Sequence, residues 1–275
     1  MTADLSVLMS LYAKEKPEYV EACFQSLIQQ TVKASEWVIV EDGPLTNELY
    51  SLLDFYEDKF PGLIKRVPLK SNRGLGLALR AGVPVCKNNL IARMDTDDIS
   101  RKDRFQKQLS VFKRNPKLDI CGSYISEFEG NPQNIVSQRR VPINEKQIRK
   151  YQKRRDAFNH MSVMYKKKAV LDAGNYQDCP LMEDSLLWVH MLQNKARCVN
   201  IPEPLVNARI GHEMYERRGG IGYLKKYFKG RKRILETGYI SLVDFIYTML
   251  VQIEVALIPS KIRGLVFKKV LHNSN

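Results

Sequence analysis

Apolar and polar residues fall in blocks along this chain, and the block rhythm changes partway. A continuous apolar run over 5–11 predicts a strand buried on both faces. Pro17 opens a helix predicted to reach residue 30, with Val20, Phe24, Leu27 and Ile28 on one face. Strands predicted over 36–40, 63–67 and 90–94 follow, separated by helices over 45–56 and 73–83. Four alternations of strand and helix argue for a parallel, doubly wound α/β sheet with right-handed connections. Beyond residue 98 the pattern predicts a helix over 104–112 and strands over 118–128 and 135–141 around a Gly130-Asn131-Pro132 turn. Next come a polar helix over 145–155, a strand over 161–165, a helix over 167–173 closed by Gly174 and a helix over 182–194. Pro202 and Pro204 are expected to interrupt before a last strand over 205–210.

Near the end, Leu242, Ile246, Met249, Leu250, Ile253 and Leu257 recur at helical spacing. Asp244 and Glu254 argue against a membrane span, and Pro259 ends the pattern. Lys261, Arg263, Lys268 and Lys269 then lie among apolar residues, the composition of a helix lying in the plane of an anionic membrane surface. With 275 residues and 44% hydrophobic content, the chain is read as one large domain over 1–214, with halves of about 1–98 and 99–214. A basic amphipathic helical appendage is expected over 215–275. Net charge is +14, and residues 211–275 hold 12 Lys/Arg against 5 Asp/Glu, so half of the excess lies there and a polyanionic partner is expected. The 5 cysteines include no Cys-x-x-Cys pair, which argues against a thiolate metal site and for a reducing cytosol. The N-terminus lacks the basic start and long apolar core of a signal peptide.

Candidate chemistry concentrates where strands end. Asp95-Thr96-Asp97-Asp98 follows the strand predicted over 90–94, and ligands of open α/β sheets bind outside such ends. Three carboxylates in four residues repel one another unless a hard cation such as Mg²⁺ or Mn²⁺ joins them. Asp42, at the end of the second strand, is a candidate to accept hydrogen bonds from a base or ribose. The stretch Asn72-Arg73-Gly74-Leu75-Gly76 opens a helix but is no P-loop, because no Gly-Lys-Ser/Thr follows. Arg73, Arg80 and Arg93 are candidates to approach phosphates. Glu183 and Asp184 begin a helix, where they serve either as capping acids or as a general base. Asn159 and His160 are candidates to touch an acceptor, and Arg139, Arg140, Arg209, Arg217 and Arg218 to hold its phosphates.

The order of these motifs resembles the family 2 glycosyltransferases of GT-A fold. The wording ARMDTDD, EDGPLT, GLGLAL and FNHMSVM is similar to bacterial O-antigen and exopolysaccharide enzymes of the amylovoran type. The resemblance covers about residues 4–220. It implies a mostly parallel doubly wound sheet flanked by helices and an inverting transfer of one hexose, galactose before glucose, from a UDP-sugar. The implied acceptor is a sugar on polyprenyl pyrophosphate, such as GlcNAc-diphosphoundecaprenol, with a β linkage formed. Mn²⁺ or Mg²⁺ is the implied cofactor, and the cytoplasmic face of the bacterial inner membrane the implied location. By motif, the donor site takes Leu11, Asp42, Asn72, Arg73, Arg93 and Asp95. Asp97 is the metal ligand, His212 a further one, Asp184 the base and Glu183 its rival. Arg80 stands where many relatives have Asn. The Gln-x-x-Arg-Trp signature of processive synthases does not occur. Competing readings are a nucleotidyltransferase, whose Gly-rich N-terminal signature is missing, and a basic nucleic-acid-binding protein. The acidic cluster opposes the latter, and no nucleic-acid partner is expected.

Overall fold

A computed structural model describes residues 1–211 and 219–257. The first half alternates as expected: β1 (Thr2–Leu11), α1 (Pro17–Ile28), β2 (Lys33–Glu41), α2 (Asn47–Lys59), β3 (Ile64–Pro68), α3 (Leu75–Val85) and β4 (Leu90–Arg93). These strands pair in parallel in the order β3-β2-β1-β4. β1 is buried on both faces because its side chains alternate. Leu5, Val7, Met9 and Leu11 enter a core shared with α1 and α2, while Leu8 joins α3 on the other side.

The second half turns the sheet around. It comprises β5 (Ile99–Ser100), α4 (Arg104–Arg114), β6 (Ile120–Phe128), β7 (Ile135–Arg139), α5 (Glu145–Tyr151), a 3-10 turn (His160–Ser162), β8 (Met164–Lys166), α6 (Lys167–Asp172), α7 (Glu183–Gln193) and β9 (Cys198–Arg209). β8 lies antiparallel to β4, and the order continues β8-β6-β9-β5, with β7 on β6. Described residues therefore form one mixed nine-stranded sheet with helices on both faces.

Two sequence expectations need correction, and one strand was not expected. β9 begins at Cys198 and runs through Pro202 and Pro204 rather than starting after them. The register against β6 jumps from Ser123–Ile201 to Tyr124–Pro204, so Pro202 and Glu203 bulge out of the ladder. α5 stops at Tyr151, and residues 152–155 form a turn instead of helix. Gln152 secures the turn, its side-chain carbonyl accepting the Ala157 N–H at 2.8 Å. β5 has two residues and no periodicity to reveal it.

The final helices are α8 (Gly220–Glu236) and α9 (Leu242–Leu257). Ile234 and Ile240 pack with Met182, Leu186 and Val189 of the α7 region. Phe228 meets Phe245 with ring centroids 5.7 Å apart, tying the two helices together. Asp244 has a role not foreseen from its charge. It forms a reciprocal cap with Ser241, whose Oγ accepts the Asp244 N–H at 3.1 Å, and it pairs with Arg154 at 2.6 Å. Leu242, Val243, Ile246, Tyr247, Leu250 and Ile253 remain exposed along one face. Among the described residues no helix is long and apolar enough to cross a membrane. The expected cationic positions Lys261, Arg263, Lys268 and Lys269 lie outside the described residues.

Candidate active site

The carboxyl ends of β1, β2 and β4 open onto a cleft of about 400 Å³. Asp42, Asn72 and Gly74 line one wall and Asp95, Thr96 and Asp97 the other. Asp42 shapes its wall by accepting the backbone N–H groups of Arg73 at 2.7 Å and Gly74 at 2.9 Å. Gly43 makes this approach possible. Its φ is +88°, and a Cβ there would lie 2.6 Å from the Asn72 nitrogen. The Arg73 side chain is exposed at the rim. Leu11 is a correction: its side chain is fully buried in the core, and its neighbours Ser10 and Tyr12 line the cleft. Sequence reasoning missed these two, although period-2 alternation from Leu11 would have found them.

Arg93 is a second correction. It is the last residue of β4 and is 0% exposed, so it cannot meet a donor arriving from solvent. Its Nη1 lies 2.9 Å from Asp95 Oδ1 and its Nη2 3.9 Å from Asp184 Oδ2. His160, partly exposed, spans the same two carboxylates, with Nε2 3.1 Å from Asp95 and Nδ1 3.7 Å from Asp184. Asp95 of the first half and Asp184 of the second are thus joined by one buried cation and one imidazole. Burial pushes the Asp95 carboxyl up, but Arg93 and then His160 outweigh it and hold it below the usual carboxylate range. Arg104 steadies the seam beneath: its Nη2 donates to the carbonyls of Arg93 at 2.7 Å and Val163 at 3.3 Å, where β4 and β8 diverge.

Asp95, Asp97 and Asp98 offer oxygens that all lie within 4.8 Å of one another. Burial, then the Asp95 charge, pushes the Asp97 carboxyl up to about 6. Burial and both neighbouring carboxylates push Asp98 well above its ordinary value. Asp98 Oδ1 accepts the Arg209 N–H at 2.8 Å, while its buried Oδ2 has no hydrogen-bond partner. Crowded, partly desolvated carboxylates with an orphaned oxygen fit a hard divalent cation.

Glu183 and Asp184 form the first turn of α7. α3 and α7 approach closely because residue 76 is glycine: a Cβ there would lie 2.9 Å from the Gln177 carbonyl oxygen and 2.9 Å from Glu183 Cβ. Burial, then the Asp184 charge, pushes the Glu183 carboxyl up to about 7. Of the two, Asp184 is the one in contact with the network, through Arg93 and His160.

Two acceptor candidates have other tasks. Asn159 is fully buried and donates to the carbonyls of Ser123 at 2.8 Å and Arg139 at 3.4 Å, so it fixes the loop before His160. Arg209 Nε donates to the Asp97 carbonyl at 3.0 Å, and its guanidinium carbon sits 3.7 Å from the Tyr19 ring centroid and 4.6 Å from that of Phe128. It braces the aspartate loop. Arg80 donates to the Tyr176 carbonyl at 2.9 Å and is not among the residues lining the cleft. His212, Arg217 and Arg218 lie outside the described residues.

Comparison with known proteins agrees with this architecture. The chain is 37% identical over 270 residues to the UDP-Gal:alpha-D-GlcNAc-diphosphoundecaprenol beta-1,3-galactosyltransferase of Escherichia coli, spanning 98% of this chain and 97% of that one. It is 36% identical over 269 residues to the amylovoran biosynthesis glycosyltransferase AmsE of Erwinia amylovora, spanning 96% and 98%. In fold it is similar to a mannosyltransferase from Pyrobaculum calidifontis solved with GDP-Man and Mn²⁺, with a TM-score of 0.62, 13% identity and coverage of 97% and 81%. Staphylococcus aureus TarS 1-349 with UDP-GlcNAc gives a TM-score of 0.62 at 14% identity, covering 95% and 70%. The model of "Glycosyl transferase family 2" matches residues 6–171, and with relatives of this similarity along nearly its whole length, the chain belongs to that family.

Proposed function

We propose that the protein transfers one galactosyl residue, with inversion, from UDP-galactose to a sugar carried on a polyprenyl diphosphate. UDP-glucose is the second donor choice, and GlcNAc-diphosphoundecaprenol the first acceptor choice. The observation that carries the reading is the joining of two carboxylate sets beside one cleft. Asp95 and Asp97 line the cleft at the strand ends, and Arg93 and His160 each bridge Asp95 to Asp184. The name of the Escherichia coli relative supports the choice of donor and acceptor.

In this reading Asp184 takes the proton of the attacking acceptor hydroxyl while the bond from C1 to the UDP oxygen breaks on the opposite face. Arg93 holds Asp184 in place, and His160 would meet the incoming acceptor sugar. Asp97, with Asp95 and Asp98 beside it, would hold Mn²⁺ or Mg²⁺. The cation, when bound, offsets the charge of the donor diphosphate. The exposed apolar face of α9 and the lysines of α8 rest the enzyme on an anionic leaflet at the cytoplasmic face of the membrane.

The test is UDP release from a panel of UDP-sugars, with and without a GlcNAc-diphospholipid. Acceptor-dependent release, greatest with UDP-galactose and lost in EDTA and in Asp97→Ala, supports the reading. Release independent of acceptor, or full turnover in EDTA, refutes it. Membrane contact is read by flotation with anionic liposomes: Ile246→Lys/Leu250→Lys is expected to stay in the soluble fraction, and equal flotation of variant and wild type would remove α9 from this role.

A further inference from the structure

The turn at residues 152–155 carries three consecutive cations, Lys153, Arg154 and Arg155, all exposed. Like charges this close spread apart in a mobile loop, yet this turn is fixed from several sides. Arg231 of α8, only 3% exposed, donates to the Lys153 carbonyl at 2.9 Å. Arg154 pairs with Asp244 of α9 at 2.6 Å and lies 4.6 Å from the Tyr247 ring centroid. Gln152 Nε2 donates to Ser185 Oγ at 3.3 Å, and Ser185 donates to the Asp156 carboxylate. Arg139 adds a donor to the Asp156 carbonyl at 3.4 Å. The acid adjoining the turn, Asp156, is therefore engaged by Ser185 and Gln152. Among the described residues neither Lys153 nor Arg155 makes an ion pair.

We infer that Lys153 and Arg155 bind the diphosphate of the lipid-linked acceptor, with Arg154 anchoring the turn to α9. This deepens the function proposed above and rests on it. Three observations converge. First, the two unneutralised cations stand on a backbone already held in place, so little ordering entropy opposes anion binding. Second, the turn is bonded to Ser185, the residue after Asp184. In a monosaccharyl diphospholipid a single hexose ring separates the attacking hydroxyl from the diphosphate. The diphosphate site must then lie about one sugar from the base, and the turn is bonded to the residue next to that base. Third, the same turn is tied to the helix whose exposed apolar side chains are suited to a bilayer, where the polyprenyl chain resides. An arginine grips a phosphate through two parallel N–H donors, and a lysine supplies a mobile point charge beside it.

The test compares two short-chain soluble acceptors, GlcNAc-diphosphoalkyl and GlcNAc-O-alkyl of equal chain length, with UDP-galactose and no vesicles. The readout is the ratio of kcat/KM for the first acceptor to that for the second. Wild type is expected to favour the diphosphate acceptor, and Lys153→Gln/Arg155→Gln to lower that ratio by roughly 10-fold or more, the scale of a lost charge-assisted contact. Lys153→Arg/Arg155→Lys, which keeps both charges, is expected to retain most of the preference. Melting temperature and UDP binding establish that each variant is folded. An unchanged ratio, or an equal fall for both acceptors, overturns the assignment. A loss that emerges only when anionic vesicles are added also overturns it, because the turn would then read lipid headgroups. If wild type releases UDP with neither acceptor, the acceptor class itself is wrong and this assignment falls with it.

Discussion

Arg93→Met is the sharpest probe of the site. Methionine fills a similar volume but removes a guanidinium that is 0% exposed and serves two carboxylates, at 2.9 Å and 3.9 Å. Breaking a buried ion pair from one side leaves its partner charged and uncompensated, at a cost of about 3–5 kcal/mol. For a domain of this size each kcal/mol lowers Tm by roughly 2–4 °C, so the variant is expected to melt about 6–20 °C below wild type. The distances also rank the partners. Asp95 has the closer contact, so Arg93→Met/Asp95→Asn is expected to recover more of the loss than Arg93→Met/Asp184→Asn. The assay is thermal and denaturant unfolding of wild type, single and double variants in EDTA, which removes added cation stabilisation from the comparison. A single-variant loss below about 1 kcal/mol, or strictly additive double variants, would refute the claim that this arginine balances the two acids.

Asp184→Asn is expected to cut turnover by roughly 10²-fold or more while UDP binding persists, the usual scale for a lost general base; a dead Glu183→Gln beside an active Asp184→Asn would exchange the two roles. Glu183 also predicts a pH effect on stability. Its carboxyl moves from an ordinary 4.5 to about 7 on folding, so the folded state holds its proton longer and wild type loses stability as pH rises through that interval. Glu183→Gln should therefore match wild type near pH 4, exceed it increasingly up to pH 7 and keep a constant lead above, and Tm curves that stay parallel would contradict this. Gly76→Ala forces a Cβ to within 2.9 Å of a backbone oxygen and of Glu183 Cβ, so the start of α7 must shift. Its overpacking cost of about 1–3 kcal/mol should outweigh the helix-propensity gain of about 1 kcal/mol, with kcat falling alongside Tm; unchanged kcat would show that the approach of α3 and α7 is not needed for catalysis.

Much of this site was legible in the sequence because strand ends were. Apolar runs located β1, β2 and β4, and the acids following them had to emerge at one edge of a parallel sheet. What escaped depended on side-chain direction and on contacts between distant residues. Leu11 ends β1 but faces the core, so Ser10 and Tyr12 hold the lining positions. Arg93 lies within an apolar run, and its burial follows only once Asp184, far along the chain, is brought beside it. Asn159 and His160 are adjacent in sequence, yet the 3-10 turn buries one and turns the other to Asp95. The bulge at Pro202 and Pro204 was hidden because proline ordinarily argues against a strand interior.

The antiparallel seam between β4 and β8 also bears on how such an enzyme diversifies. The stretch up to Asp97 lines the cleft, and the stretch beyond it supplies His160 and Asp184. The two stretches meet through one guanidinium and one imidazole. Loops on the far side can therefore change length and composition without disturbing the cleft lining, provided those two groups stay in place. Under the proposed function, donor choice and acceptor choice would be inherited on separate lengths of chain. A hybrid exchanging everything after the seam with a family member that retains the arginine and the histidine is the natural unit of recombination.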